Sequence, residues 1–219
     1  MKSTAKEEKV VEIPSGEVTV IGNLSSPSKA RSIVVFAHGS GSSRFSSRNT
    51  KVAREINASG MSTLLIDLLT EEEEAADMYS GEYRFNIELL AKRLADATAW
   101  VVKNPATKDF PVGYFGASTG AAAALIAAAK LPEYVKAVVS RGGRPDLAGS
   151  YLPSVKAPTL LIVGGDDVEV TELNREAREQ MTAQTKIVIV PGATHLFEEP
   201  GKLEQVAELA IDWFARYLK

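Results

Sequence analysis

The stretch GYFGASTGAAAALIAAAK, residues 113–130, sets an apolar run, a bend of small residues and an alanine-rich segment end to end. PVGYFGA (111–117) reads as a strand buried on both faces, and AAAALIAAAK (121–130) as a helix whose methyl side chains allow close packing. Between them, Gly116-Ala117-Ser118-Thr119-Gly120 fits the GxSxG turn that projects a serine hydroxyl past a strand end. That turn needs residues without side chains two positions either side of the serine, where a Cβ would collide with strand or helix. Glycine stands at both. The helix N-terminus behind the serine adds backbone donors and a dipole that favours developing negative charge. A phosphate-binding loop is a competing reading of such a turn, but no lysine follows as in GxxxxGK[ST], and GxGxxG is absent here. A plain glycine turn also competes, so the role of Ser118 depends on partners elsewhere.

Further short runs rich in Val, Ile and Leu flank this stretch: SIVVFAH (32–38), STLLIDLL (62–69), KAVVSRG (136–142), PTLLIVGG (158–165) and TKIVIVPG (185–192). Near-continuous apolar runs belong to parallel strands covered on both faces. Upstream, VVEIPSGEVTVIGNL (10–24) alternates apolar and polar residues around Ser-Gly, which predicts an antiparallel hairpin at one edge. Segments of helical period lie between: SRNTKVAREINASG (47–60), FNIELLAKRLADATAWVVKN (85–104), TELNREAREQMTA (171–183) and KLEQVAELAIDWFARYLK (202–219). Alternating strands and helices predict one three-layer α/β domain over residues 1–219, with a mostly parallel sheet of about eight strands. The acidic stretch TEEEEAADMYSGEY (70–83) reads as a solvated loop or fraying helix. It follows a strand end, where α/β proteins place ligands, so it is also a candidate flap.

Composition narrows the chemistry. A 219-residue chain with 45% apolar and 24% charged residues and a net charge of −3 suits a globular domain acting on a small molecule, not nucleic acid or a membrane surface. The absence of cysteine removes disulfides, a thiolate nucleophile and cysteine-ligated metals. Charges occupy the N-terminus where a signal peptide needs an apolar core, and no run approaches the roughly 20 apolar residues of a membrane span. The expected protein is cytoplasmic, a monomer or homodimer.

A serine nucleophile needs a base, and the chain has two histidines. His195, in PGATHLFEEP, follows the last predicted strand and so faces the same sheet edge as Ser118. The third partner is a carboxylate that fixes the imidazole tautomer; LIVGGDDVEV offers Asp166 and Asp167 after the penultimate strand. Three elements in the order Ser, Asp, His, each at a strand end, turn the bend into a nucleophile candidate. FAHGSGSSRFSSR (36–48) supplies a small-residue loop whose backbone can approach a carbonyl. The N–H groups of Ser40 and Thr119 are therefore the expected oxyanion hole, with Gly41 a near alternative to Ser40. His38 is expected to order that loop by hydrogen bonding.

At this point the sequence resembles the α/β-hydrolase superfamily and its small dienelactone-hydrolase-like branch. HGSGSS, GASTG, GGDD and GATHLF match in order, from about the third strand onward. The branch's GxxD pattern falls on Gly164 to Asp167 and implies Asp167 as the acid. The resemblance implies an α/β-hydrolase fold without a large cap, and acyl transfer to water through Ser118, His195 and Asp167 with no metal or organic cofactor. Dienelactone hydrolases proper carry cysteine where this chain has Ser118, which favours ordinary carboxylic esters, or lactones and thioesters, as substrates. Segments 70–83 and 140–158 are the candidate lids. Arg44 and Arg48 follow the third strand and Arg141 and Arg144 the sixth; guanidinium forks suit carboxylates, so Arg44 and Arg141 are candidates for binding an anionic substrate tail. Structural pairing with Asp146, Glu82 or the acidic segment is the competing reading. A non-catalytic ligand-binding protein on the same scaffold is the alternative to an enzyme.

Overall fold

A computed structural model describes residues 7–219, and each apolar run read above as a strand is one. The chain opens with β1 (Glu7–Ser15) and β2 (Val18–Ser26), an antiparallel hairpin whose two-residue turn begins at Gly16 with φ +66°. Then follow β3 (Ile33–Ala37), α1 (Ser47–Ala58), β4 (Ser62–Ile66), α2 (Glu71–Ser80), α3 (Ile87–Val101) and β5 (Val112–Ala117). The second half runs α4 (Thr119–Lys130), β6 (Val135–Arg141), a 3-10 segment (Pro145–Ser154), β7 (Thr159–Gly164), α5 (Val168–Gln180), β8 (Thr185–Val190) and α6 (Lys202–Tyr217).

The eight strands form one sheet in the order β1-β2-β4-β3-β5-β6-β7-β8, antiparallel through β1, β2 and β4 and parallel from β4 to β8. Alternate residues of each strand feed opposite faces. In β3, Ile33, Val35 and Ala37 join α3 and α4 on one side, while Val34 and Phe36 join α1 and α6 on the other. The strand order reverses between β3 and β5, and in open α/β sheets ligands bind outside the carboxyl ends at that switch point. The loop after β3 and the bend after β5 are thereby neighbours. Among the described residues, no helix is long and apolar enough to cross a membrane.

Three segments differ from their sequence reading. The acidic stretch is neither loop nor frayed: α2 begins with a capping box in which Thr70 accepts from the Glu73 N–H and Glu73 accepts from the Thr70 N–H. Segment 140–158 contains the 3-10 turns, and Leu152 and Ala148 bury them in the core rather than leaving them over the sheet edge. Helix α5 starts at Val168, three residues ahead of the predicted segment, with Asp167 at its N-cap.

Candidate active site

Ser118 joins β5 to α4 at φ 50° and ψ −122°, a region that costs a non-glycine residue about 1–3 kcal/mol. The surroundings hold it there. Its N–H donates to the Arg141 carbonyl at 3.3 Å, and its carbonyl accepts from the Arg144 N–H at 3.1 Å. Both flanking glycines are demanded by backbone, as the pattern implied. A Cβ on Gly116 would lie 2.4 Å from Ala121 Cα, and one on Gly120 would lie 2.3 Å from the Ala37 carbonyl oxygen. The elbow is thus wedged between its own helix and the end of β3.

His195 and Asp167 meet through Nδ1 and Oδ2 at 2.7 Å. The two loops that carry them lie against each other: the Asp166 N–H donates to the Ala193 carbonyl at 3.0 Å, and a Cβ on Gly164 would come within 2.4 Å of that oxygen. Asp167, not Asp166, turns its carboxylate to the imidazole. The histidine loop has further supports that the sequence reading did not single out. Glu199 Oε1 accepts from the Thr194 N–H at 3.1 Å and from its hydroxyl at 2.5 Å, and Phe197 is fully buried at φ +58°. Gly142 is a third. Its φ is +50°, and a Cβ there would lie 2.9 Å from the His195 carbonyl oxygen and 3.6 Å from its Cε1. Arg141 binds the nucleophile's amide while the next residue abuts the imidazole, so both side chains border one short segment. Among the described residues neither the Ser118 hydroxyl nor His195 Nε2 makes a hydrogen bond.

The loop after β3 turns back at Gly39 to Ser42, closed by the Ser42 N–H on the Gly39 carbonyl at 3.2 Å, with Gly41 at φ +68°. A Cβ on Gly39 would stand 3.0 Å from Ser118 Cβ, so the loop rests on the nucleophile. The Thr119 N–H opens α4 and has no intrahelical acceptor. The Ser40 N–H donates to Thr119 Oγ1 at 3.0 Å, and the two hydroxyls are 2.9 Å apart. His38 orders the loop as expected. Its Nε2 accepts from the Leu68 N–H at 3.0 Å, which makes Nδ1 the protonated nitrogen and donor to the Gly39 carbonyl at 3.0 Å. Burial holds its pKa below the usual histidine value, against the opposing pull of that carbonyl and of Asp67.

A family model described as the dienelactone hydrolase family matches residues 19–219. The chain belongs to the dienelactone hydrolase family. A dienelactone hydrolase crystal structure from Anabaena variabilis is 57% identical, superposes with a TM-score of 0.96, and is matched over 98% of this chain and 99% of that one. A cold-adapted esterase from an Arctic intertidal metagenomic library shares the fold alone, at 17% identity and TM-score 0.79 over 100% of this chain and 97% of that one. Two Mycobacterium tuberculosis proteins, from strains CDC 1551 and H37Rv and provisionally named phosphoribosyl transferases, are 59% identical over 208 residues, 95% of this chain. The chain spans 46% of their length.

In this family member a cavity of about 680 Å³, within the range of small-molecule sites, opens beside the Gly39 turn. Leu68, Leu69 and Leu90 line its interior, Phe45 and Met78 its sides, and α2 roofs it. Neither Arg44 nor Arg141 lines it. Arg44 is spent on Asp67, through both its guanidinium and its backbone N–H, and on Asn23. Arg141 is 4% exposed, donates to Asn49 Oδ1 at 3.3 Å, and has its pKa lowered to about 10 by burial and by neighbouring Arg48. Arg144 pairs with Asp146 and Arg48 with Glu198. The pairing alternative thus describes Arg144, while Arg44 has a partner, Asp67, that the sequence reading did not consider.

Proposed function

We propose that the chain is a serine hydrolase of small carboxylic esters, working through an acyl-enzyme on Ser118. The observation that carries this reading is the 2.7 Å contact of Asp167 with His195 Nδ1, which leaves Nε2 available at the edge where the strained Ser118 stands. Asp167 holds the proton on Nδ1, so Nε2 is the basic nitrogen. Ser118 Oγ attacks the ester carbonyl and passes its proton to Nε2; the tetrahedral intermediate collapses as Nε2 protonates the departing alcohol. Water then repeats the sequence on the acyl-enzyme. The carbonyl oxygen is received by the Thr119 N–H, preformed at the start of α4, and by the Ser40 N–H, which exchanges Thr119 Oγ1 for the substrate. The elbow's strain and helix dipole suit this work. The phosphoribosyl transferase name belongs to chains of which this one matches 46%, and is not needed by these residues.

The test is labelling with a fluorophosphonate probe beside turnover of short-chain esters, lactones and thioesters. Ser118→Ala is expected to abolish labelling and to lower ester turnover by at least about a thousandfold, as loss of a triad nucleophile does. Labelling that persists, or turnover that does not fall, overturns the mechanism. Ligand binding without turnover by the wild type would instead favour the non-catalytic scaffold.

A further inference from the structure

The cavity beside the Gly39 turn has neither Ser118 nor His195 in its lining, but its Gly39 wall lies against Ser118, and its charges are unbalanced. Two arginines lie near it, and both are neutralised locally. Arg84 is clamped to Asp77, whose carboxylate also accepts the Tyr83 N–H at 2.6 Å and the Arg84 N–H at 3.1 Å, while the Arg84 Nη2 reaches the Asp77 carbonyl at 2.6 Å. Arg44 is committed to Asp67 and Asn23. His38 is pushed toward its neutral form by burial. Against these spent cations stand Glu71 and Glu74, both lining the cavity from α2 and neither in an ion pair among the described residues.

Helix α2 does not need them for its start. The Thr70–Glu73 box already caps it, and Glu73 is tied to Arg93 at 2.6 Å. Glu71 and Glu74 therefore add negative charge at the roof of a cavity whose other walls are apolar groups, serine hydroxyls, His38 and the Arg84–Asp77 pair. Desolvation and the proximity of Asp67 raise the Glu74 carboxyl above the usual range, and the opposing charge of Arg44 does not cancel that rise.

We infer that Glu71 and Glu74 are specificity-determining residues: the group entering this cavity is an apolar chain that is neutral or ends in a cation, and esters carrying a carboxylate there are disfavoured. This rests on the ester-hydrolase reading above and reverses the expectation that arginines receive an anionic tail. The apolar walls take the chain, the Gly39 turn brings its carbonyl to Ser118, and the two carboxylates face its far end. A quaternary or primary ammonium group meets them favourably, whereas a carboxylate meets two like charges with no free guanidinium to answer it.

The experiment uses two ester series with a common reacting carbonyl, one bearing a terminal trimethylammonium, methyl or carboxylate group on the acyl side, the other on the alcohol side. In the series whose variable end enters the cavity, kcat/KM should fall from cation to neutral to anion. Two partly exposed ion pairs support a cation-to-anion ratio of about tenfold or more. With the neutral ester as reference within each enzyme, Glu71→Gln/Glu74→Gln should collapse that ratio, and Glu74→Lys should invert it. A ratio near one in both series of the wild type, or one unmoved by the substitutions, overturns the specificity assignment while leaving hydrolysis standing. No turnover of any ester together with no fluorophosphonate labelling overturns the hydrolase reading itself.

Discussion

The residues of the site are held mostly by backbone, and each support is a place where one atom too many would matter. Gly116, Gly120 and Gly142 stand where a Cβ would strike Ala121, Ala37 or His195. His38 does by hydrogen bonding what the glycines do by absence, bridging the Gly39 carbonyl and the Leu68 N–H only while its ring is neutral. Its titration is therefore coupled to stability. Because burial sets the folded pKa below the unfolded one, the unfolded chain holds more protons in the window between them; stability is full above the ordinary histidine pKa and declines as pH falls through it. Thermal melts of wild type and His38→Gln, which offers an acceptor that does not titrate, should differ most near pH 8. The gap should narrow as pH falls from about 7 to about 5, at up to roughly 1.4 kcal/mol per pH unit. A gap independent of pH would deny the buried neutral ring. The legible members of the site were those whose chemistry is in their type: serine between glycines, histidine and aspartate after strands. Gly142, and the Thr119 hydroxyl on the Ser40 amide, were not legible, because each matters through contact with a residue more than 50 positions away, a proximity that only the folded chain creates.

At the scale of elements, the parallel strands were legible because burial on both faces leaves long apolar runs with no polar alternation. The hairpin was legible for the opposite reason. Helix α2 was obscured by its composition: four consecutive glutamates read as a solvated loop or fraying helix, although T-x-x-E is itself a start signal that satisfies two otherwise orphaned amides. The cap has a measurable part in keeping α2 over the cavity. Asp77 is the one buried residue of the helix, so little packing replaces a lost cap. Thr70→Ala should cost about 1 kcal/mol of local stability. The expected result is faster amide exchange confined to α2, with the strands' protection unchanged, and a rise in KM larger than the fall in kcat for esters that reach under the helix. Equal exchange in wild type and variant would show that α2 is held by something other than its capping box. Segment 140–158 was a candidate lid from its place as the connection after a strand, whereas Ala148 and Leu152 anchor it in the core.

In the whole molecule, Ser118, the Gly39 turn and the Asp167–His195 pair lie at one edge of the sheet because each follows a parallel strand, and parallel strands joined by crossovers end at one edge. That much follows from strand order along the chain. The sheet order, and with it the switch point between β3 and β5, is set by which helices cover which face, a tertiary matter that local pattern does not encode. The same arrangement makes a prediction about folding. Each central strand contributes to both cores, as β3 does with Val35 toward α4 and Phe36 toward α6, so neither layer can be stripped away while the sheet keeps its packing. Residues 7–219 should therefore unfold as one cooperative unit. The two tryptophans report on opposite faces: Trp100 of α3 packs on one core, and Trp213 of α6 lies in the other, with its indole N–H on the Pro158 carbonyl at 3.2 Å. Trp213→Phe leaves fluorescence to the first face and Trp100→Phe to the second. In urea, the fluorescence midpoint of each variant should coincide with its own far-ultraviolet circular dichroism midpoint. A fluorescence change that precedes loss of the sheet in either variant would show that one helical layer melts alone, and that the three layers are not a single domain.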